Sequence, residues 1–282
     1  MASGPATTSS ALTVDRDGVR LAAAQSGAGI PVVLMHGLTA TRRYVLMGSR
    51  ALERSGHHVI AYDARGHGES TPAPTPTAYG YPDLAGDLIG VLDRLELARA
   101  VLVGASMGAH TAVGATLAHP ERVAGLVLVT PAYDPGHPAT PESLARWDRL
   151  AAGLRSAGVD GFLAAYGEPD VPPPWRDTVK RVIRQRLSAH RYPLAVADAL
   201  RVVPRSRPFA ALAELQRISV PALVVGSRDE ADPGHPLAVA RAYAAALPQA
   251  RLVVEEAGRS PLAWQGGQLS GLVAEVAARA LG

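Results

Sequence analysis

The chain reads as an α/β protein: a mostly parallel, twisted sheet with helices on both faces and an inserted helical cap. Three observations predict this class. Short apolar runs alternate with helix-period segments along most of the 282 residues, as in βαβ units. The runs are apolar throughout rather than alternating, as expected of strands buried on both faces. The alternation then stops between Pro131 and about Arg217, where helical patterns occur without a convincing strand.

Leu12–Arg16 and Val19–Gln25 read as a hairpin across Asp17-Gly18, a strong turn pair. Val32–Met35 and His58–Tyr62 are buried strands, and Thr41–Ser55 between them has a helical pattern. Thr71–Pro82 is a Pro/Thr-rich loop. Asp83–Leu97 is helical, with Leu84, Leu88, Val91, Leu92 and Leu95 on one face. Ala100–Val103 and Val123–Val129 are strands, and a helix of small residues between them ends near His119-Pro120. The helical block holds Glu142–Ser156, Trp175–Ser188, Leu194–Val202 and Phe209–Gln216. Ala222–Val225, a helix over Pro236–Leu247, the strand Arg251–Glu255 and a last helix over Gln268–Leu281 restore the rhythm. The organisation that follows is a disordered terminus (1–10), a core (11–131 and 218–282) and a cap (132–217). The cap covers the strand C-termini, where open α/β sheets bind ligands.

Composition narrows the function classes. Hydrophobic residues are 48% and charged residues 19% of the chain, which suits a buried core. With no cysteine, disulfides, thiolate metal sites and cysteine nucleophiles are excluded. A net charge of +3, without an aromatic-interleaved basic tract, argues against nucleic-acid binding. No apolar run approaches the roughly 18 residues that span a bilayer. Met1–Ser10 lacks the basic start and apolar run of a signal peptide, so a cytoplasmic protein is expected. The expected partner is a small-molecule substrate, with no nucleic acid, membrane, metal or cofactor. The oligomeric state stays open.

Gly104-Ala105-Ser106-Met107-Gly108 spells G-x-S-x-G directly after a strand and before a helix. That context makes it a nucleophile elbow, a serine on a tight strand-to-helix turn. His36-Gly37-Leu38 follows the third strand, and Asp63-Ala64-Arg65-Gly66-His67-Gly68-Glu69-Ser70 follows the fourth. Gly226-Ser227-Arg228-Asp229, with Pro233 beyond it, follows a later strand. Four such features in this order resemble the α/β-hydrolase superfamily over nearly the whole chain. The resemblance implies Ser106 as nucleophile, Asp229 as the acid, and the backbone N–H groups of Leu38 and Met107 as the oxyanion hole. Glu230 and Asp232 compete with Asp229 for the acid's role.

The family's histidine, after the last strand, is missing. The loop reads Glu255-Glu256-Ala257-Gly258-Arg259-Ser260, and Arg259 occupies the place. An arginine, with a pKa above about 12, cannot act as a base. It can pair with Asp229 or hold a substrate carboxylate. His235, six residues past Asp229 in the sequence, is the substitute base favoured here. His110, His137 and His190 are further candidates, although a structural role is the default for each. His36 and Arg259 are the expected substrate-binding residues, His36 and His67 also having structural places in the family's motifs. His57, His58 and His119 read as solvated.

Three functions remain open at this stage. The chain is a serine hydrolase for an ester, lactone or related acyl bond, a non-hydrolytic enzyme on the same scaffold (lyase, isomerase or cyclase type), or a small-molecule-binding protein without turnover. The cap adds Arg176, Lys180, Arg181, Arg184, Arg186, Arg191, Arg201, Arg205 and Arg207 against Asp177 and Asp198. They read as a solvated face, with attraction of an acidic substrate as the alternative.

Overall fold

A computed structural model describes residues 9–230 and 232–280. The disordered terminus expected over residues 1–10 lies mostly outside these, and Ser10 already opens the first strand. Strands β1 (Ser10–Arg16) and β2 (Val19–Ser26) form the expected hairpin. Asp17 and Gly18 both take positive φ, 48° and 76°, as a two-residue turn matched to strand twist requires. The chain continues through β3 (Ile30–Met35), the one-turn helix α1 (Ala51–Arg54), β4 (His57–Tyr62), α2 (Tyr81–Arg94), β5 (Ala100–Ala105), α3 (Met107–Ala118) and β6 (Val123–Val129). After β6 come α4 (Pro141–Tyr166), α5 (Pro173–Leu187) and α6 (Pro193–Val202). The core resumes with β7 (Ala222–Gly226), α7 (Leu237–Ala246), β8 (Ala250–Val254) and α8 (Gly266–Arg279).

The eight strands form one sheet in the order β1-β2-β4-β3-β5-β6-β7-β8. Pairing is antiparallel for β1–β2 and β2–β4, and parallel from β4 through β8. One face carries α2, α3 and α7, whose Leu88, Leu92, Val113, Ala240 and Tyr243 pack on Leu102, Leu126 and Val224. The other carries α1 and α8, with Leu52, Leu269 and Val273 against Val101, Val127 and Val225. Every residue of β6 is buried, which explains the unbroken apolar runs in the sequence.

The helical insert has its own core of Leu150, Leu154, Phe162, Leu187, Val196 and Leu200. α4 kinks at Ala157 and Gly158 (φ 59°) and doubles back. A Cβ on Gly153 would meet the Gly161 carbonyl at 2.3 Å, so the two arms need glycine where they cross. α6 joins insert to core, since Ala195 and Ala199 pack with Tyr79, Tyr81 and Met107.

The helix expected over Thr41–Ser55 is the main departure. Only a 3₁₀ turn, Arg42–Tyr44, and the single turn α1 form there. Met47 (φ 47°) and Gly48 (φ 77°) interrupt the helical backbone between them. Asp63 holds the start of the segment instead, accepting the Arg42 backbone N–H at 2.8 Å and pairing with its guanidinium. Of the histidines expected to be solvated, His57 is buried and hydrogen-bonded to Ser55 and Leu52. Its place on β4 closes it in. Among the described residues, no helix is long and apolar enough to cross a membrane.

Candidate active site

Ser106 lies between β5 and α3 with φ 51° and ψ −112°. Such a backbone costs a non-glycine residue about 1–3 kcal/mol, and the surroundings must enforce it. They do so by crowding. A Cβ on Gly104 would lie 2.2 Å from the Gly108 carbonyl, and one on Gly108 2.2 Å from that of Met35. The Ser106 N–H is tied to Val129 O at 2.9 Å. α3 starts at Met107, whose N–H is the first of the helix and has no acceptor within it.

The His36-Gly37-Leu38 loop lies against this turn. A Cβ on Gly37 would be 3.5 Å from both Ser106 Cβ and Ala105 O. Buried imidazoles hold the loop. His36 Nε2 accepts the Ala64 N–H at 2.9 Å, so its Nδ1–H donates to Gly37 O at 2.8 Å. Burial and the neighbouring His67 push its pKa down to about 3, and the ring is neutral. His67 Nε2 lies 2.7 Å from Leu38 O, and Nδ1 2.9 Å from Arg65 O. Burial lowers its pKa as well, against the pull of these two carbonyls. From the insert, His190 Nδ1 accepts the Gly68 N–H at 2.8 Å, and its Nε2–H reaches Thr39 O at 3.3 Å. Burial and His67 bring His190 down to about 3.

The turn after β4 is scaffolding for the same loop. Buried Arg65 makes two hydrogen bonds to buried Asp87, at 2.8 and 2.7 Å. Ser70 Oγ donates to Asp63 O at 2.7 Å and accepts the Ala22 N–H. A Cβ on Gly68 would collide with the Asp63 carboxyl. Sequence order alone does not show that His67 and His190 converge on the loop after β3, at Leu38 and Thr39.

His110 turns into the core rather than to the serine. Its Nε2 accepts the backbone N–H groups of Ala132 and Tyr133, at 2.9 and 3.0 Å. Nδ1 therefore carries the proton and donates to Tyr81 Oη at 2.8 Å. Burial lowers its pKa to about 3. With both nitrogens engaged, it has no lone pair to offer Ser106. His137 is exposed and bound to Asp134 at 2.7 Å. It does not descend toward the core.

His235 is different. Its Nδ1 lies 2.8 Å from Asp232 Oδ1, and both side chains are half-buried on the loop after β7. A Nδ1–H donated to the carboxylate leaves Nε2 as the lone-pair nitrogen. After burial, the charge of His235 is the second cause of the lowered pKa of His110. The expected acid, Asp229, is exposed and engaged elsewhere: its Oδ1 accepts the Leu237 N–H at the start of α7, at 2.7 Å. Arg259 is 74% exposed and faces Glu256 at 3.7 Å. The structure brings it to neither Asp229 nor the loops around Ser106. Sequence reasoning missed Glu255, whose buried carboxylate accepts the N–H groups of Arg228 and Leu262. It ties the loop after β7 to the loop after β8.

The sequence pattern of the alpha/beta hydrolase fold family matches residues 30–190, more than half of the chain. The chain belongs to the α/β-hydrolase fold family. A curated relative of this α/β-hydrolase chain is the putative carbamate hydrolase RutD of Variovorax paradoxus, 31% identical over 72% of this chain and 75% of that one. Epoxide hydrolase 3 of Siraitia grosvenorii is 34% identical, over 56% of this chain and 45% of that one. The chain spans about half the length of the epoxide hydrolases it matches. Among solved structures, a thermophilic esterase from Thermogutta terrifontis superposes with a TM-score of 0.78 at 28% identity, over 96% of this chain and 99% of that one.

Proposed function

We propose that this α/β-hydrolase chain is a serine hydrolase of a small-molecule ester, lactone or related acyl bond. Ser106 is the nucleophile, His235 the base and Asp232 the acid that orients it. The observation that carries this reading is the 2.8 Å His235–Asp232 hydrogen bond, on the strand edge that also bears the elbow. A serine hydroxyl needs an adjacent base. An imidazole whose Nδ1–H is held by a carboxylate presents Nε2 in the correct tautomer. The esterase superposition agrees with acyl chemistry.

In the first step His235 Nε2 takes the Ser106 Oγ proton while Oγ bonds to the acyl carbon. The oxyanion that forms is held by the Leu38 and Met107 N–H groups. The imidazolium then gives its proton to the departing alkoxide. Water attacks the acyl-serine with the same imidazole as base and releases the acid. Asp229 serves the fold instead, by holding the start of α7.

The test is hydrolysis of short-chain p-nitrophenyl esters. Turnover is expected, with Ser106→Ala inactive and His235→Ala reduced at least about 10²-fold. Ester turnover unaffected by Ser106→Ala overturns the proposal. Tight binding of an ester recovered unchanged assigns the chain to the class without turnover.

A further inference from the structure

Five cations of the helical insert have carboxylate partners on its surface. Lys180 pairs with Glu168, Arg184 with Asp160, Arg155 with Asp198, and Arg201 and Arg205 with Asp148. Arg186 has none within ion-pair distance among the described residues, although it is more enclosed than these. Its Nε is closed off from solvent and makes no hydrogen bond. Its guanidinium lies over the Tyr44 ring, 5.4 Å from the centroid. The carboxylate it senses, Asp232, is already engaged by His235. Burial depresses its pKa without bringing a guanidinium near neutrality.

Position says where this charge points. α5 begins with Trp175 against Trp264, in the turn after β8 (ring centroids 5.7 Å apart). It ends with Arg186 against Tyr44, in the turn after β3. The sheet order between those strands is β3-β5-β6-β7-β8. Four strand spacings of about 4.8 Å make roughly 19 Å, and the rise from Trp175 to Arg186 is about 17 Å, their side chains spanning the rest. α5 therefore runs across the strand ends from β3 to β8, and β5, which leads to Ser106, lies within that span. Trp175, Val179, Val182 and Ile183 are its half-buried inward residues. Arg186 continues that stripe at i+4 from Val182. Its charge helps lower the pKa of His36, on the loop after β3, and Asp232, on the loop after β7, acts to raise its own. β5 and its serine lie between those loops.

An enclosed guanidinium with an open hydrogen-bonding fork, over an aromatic face, is suited to a planar anion. We propose that Arg186 is a specificity residue that receives a carboxylate of the substrate, at the end remote from the bond broken at Ser106. The substrate class is then an acyl compound bearing a free carboxylate, such as a half-ester of a dicarboxylic acid or a carboxylated lactone. This rests on Ser106 being the nucleophile. The carboxylate completes an ion pair that the folded chain leaves half-made.

The experiment compares mono-p-nitrophenyl esters of succinic, glutaric and adipic acids with their neutral terminal amides. Wild type should prefer the anionic ester of at least one chain length. Arg186→Gln should lower kcat/KM for that ester about 100-fold, mainly through KM, and change the amides less than about threefold. Arg186→Lys should recover part of the loss, since it keeps the charge without the planar fork. Equal loss on anionic and neutral esters assigns Arg186 a structural role and overturns the proposal, as does a wild type indifferent to the carboxylate. Calorimetric titration with the free dicarboxylates separates the two claims. Binding to wild type and Ser106→Ala, lost in Arg186→Gln, supports the carboxylate site even where no ester is hydrolysed and the acyl-hydrolase reading fails. Absence of dicarboxylate binding to wild type overturns the site.

Discussion

Buried imidazoles couple the stability of this fold to pH, and the size of the coupling follows from their hydrogen bonds. His36, His110 and His190 each accept backbone N–H groups through one nitrogen and donate through the other. A second proton would break the accepting bond inside the core. Each is held near a pKa of about 3, against 6.5 in the unfolded chain. Below pH 6.5 the unfolded chain therefore binds more protons than the folded one, so stability rises with pH. It is complete above about pH 7 and is lost as the pH falls from 6.5 toward 3. One group contributes a slope of at most about 1.4 kcal/mol per pH unit, and three give about 4. Lowering the pH from 7.5 to 5 should remove about 2 kcal/mol per imidazole, roughly 6 in all. That is most of the stability of an ordinary domain. His67, pushed in the same direction, adds to the loss. The assay is urea unfolding followed by circular dichroism at half-unit steps from pH 7.5 to 5. A slope between pH 6 and 5 no larger than one imidazole supplies would refute the reasoning.

Gly108→Ala should abolish ester hydrolysis and lower the melting midpoint, because its Cβ would press on Met35 O; ester turnover and thermal melting check both. Asp87→Ala leaves the buried Arg65 guanidinium without its two-point partner. It should cost about 3–5 kcal/mol by denaturant titration, and the apolar pair Arg65→Met with Asp87→Leu should cost less than that. Arg259→Ala should leave kcat/KM for any ester substrate within about twofold, because an exposed side chain facing Glu256 contributes little.

Local features were legible in the sequence, and long-range ones were not. The elbow is written in five consecutive residues, although only Gly104 is demanded by a neighbour within it, Gly108, while Gly108 is demanded by Met35 on β3. The parallel sheet was legible from strands buried on both faces. The segment Thr41–Ser55 misled because a helical apolar period says nothing of Met47 and Gly48 turning left-handed, or of Asp63 capturing Arg42. The roles of the histidines were hidden for a related reason. His190 is 122 residues from Gly68, and His110 29 from Tyr81. No spacing rule connects them. Asp229 was favoured as the acid on its spacing from Gly226 and Pro233, yet its carboxylate is held by α7. The i,i+3 spacing of Asp232 and His235 was there to be read. Arg186 had a signal too: it extends the stripe of Trp175, Val179 and Val182, a charged residue on an apolar face.

The central claim is that His235, held by Asp232, replaces the missing triad histidine as the base for Ser106. The rate at which a fluorophosphonate labels Ser106, followed by mass spectrometry from pH 5.5 to 9 in wild type, His235→Ala, Asp232→Asn and Asp229→Asn, tests it most directly. Wild type should label Ser106 readily. His235→Ala should be slower by about 10⁴-fold across the range. Asp232→Asn should be impaired, and Asp229→Asn should match wild type. Labelling of Ser106 at the wild-type rate in His235→Ala would contradict the account.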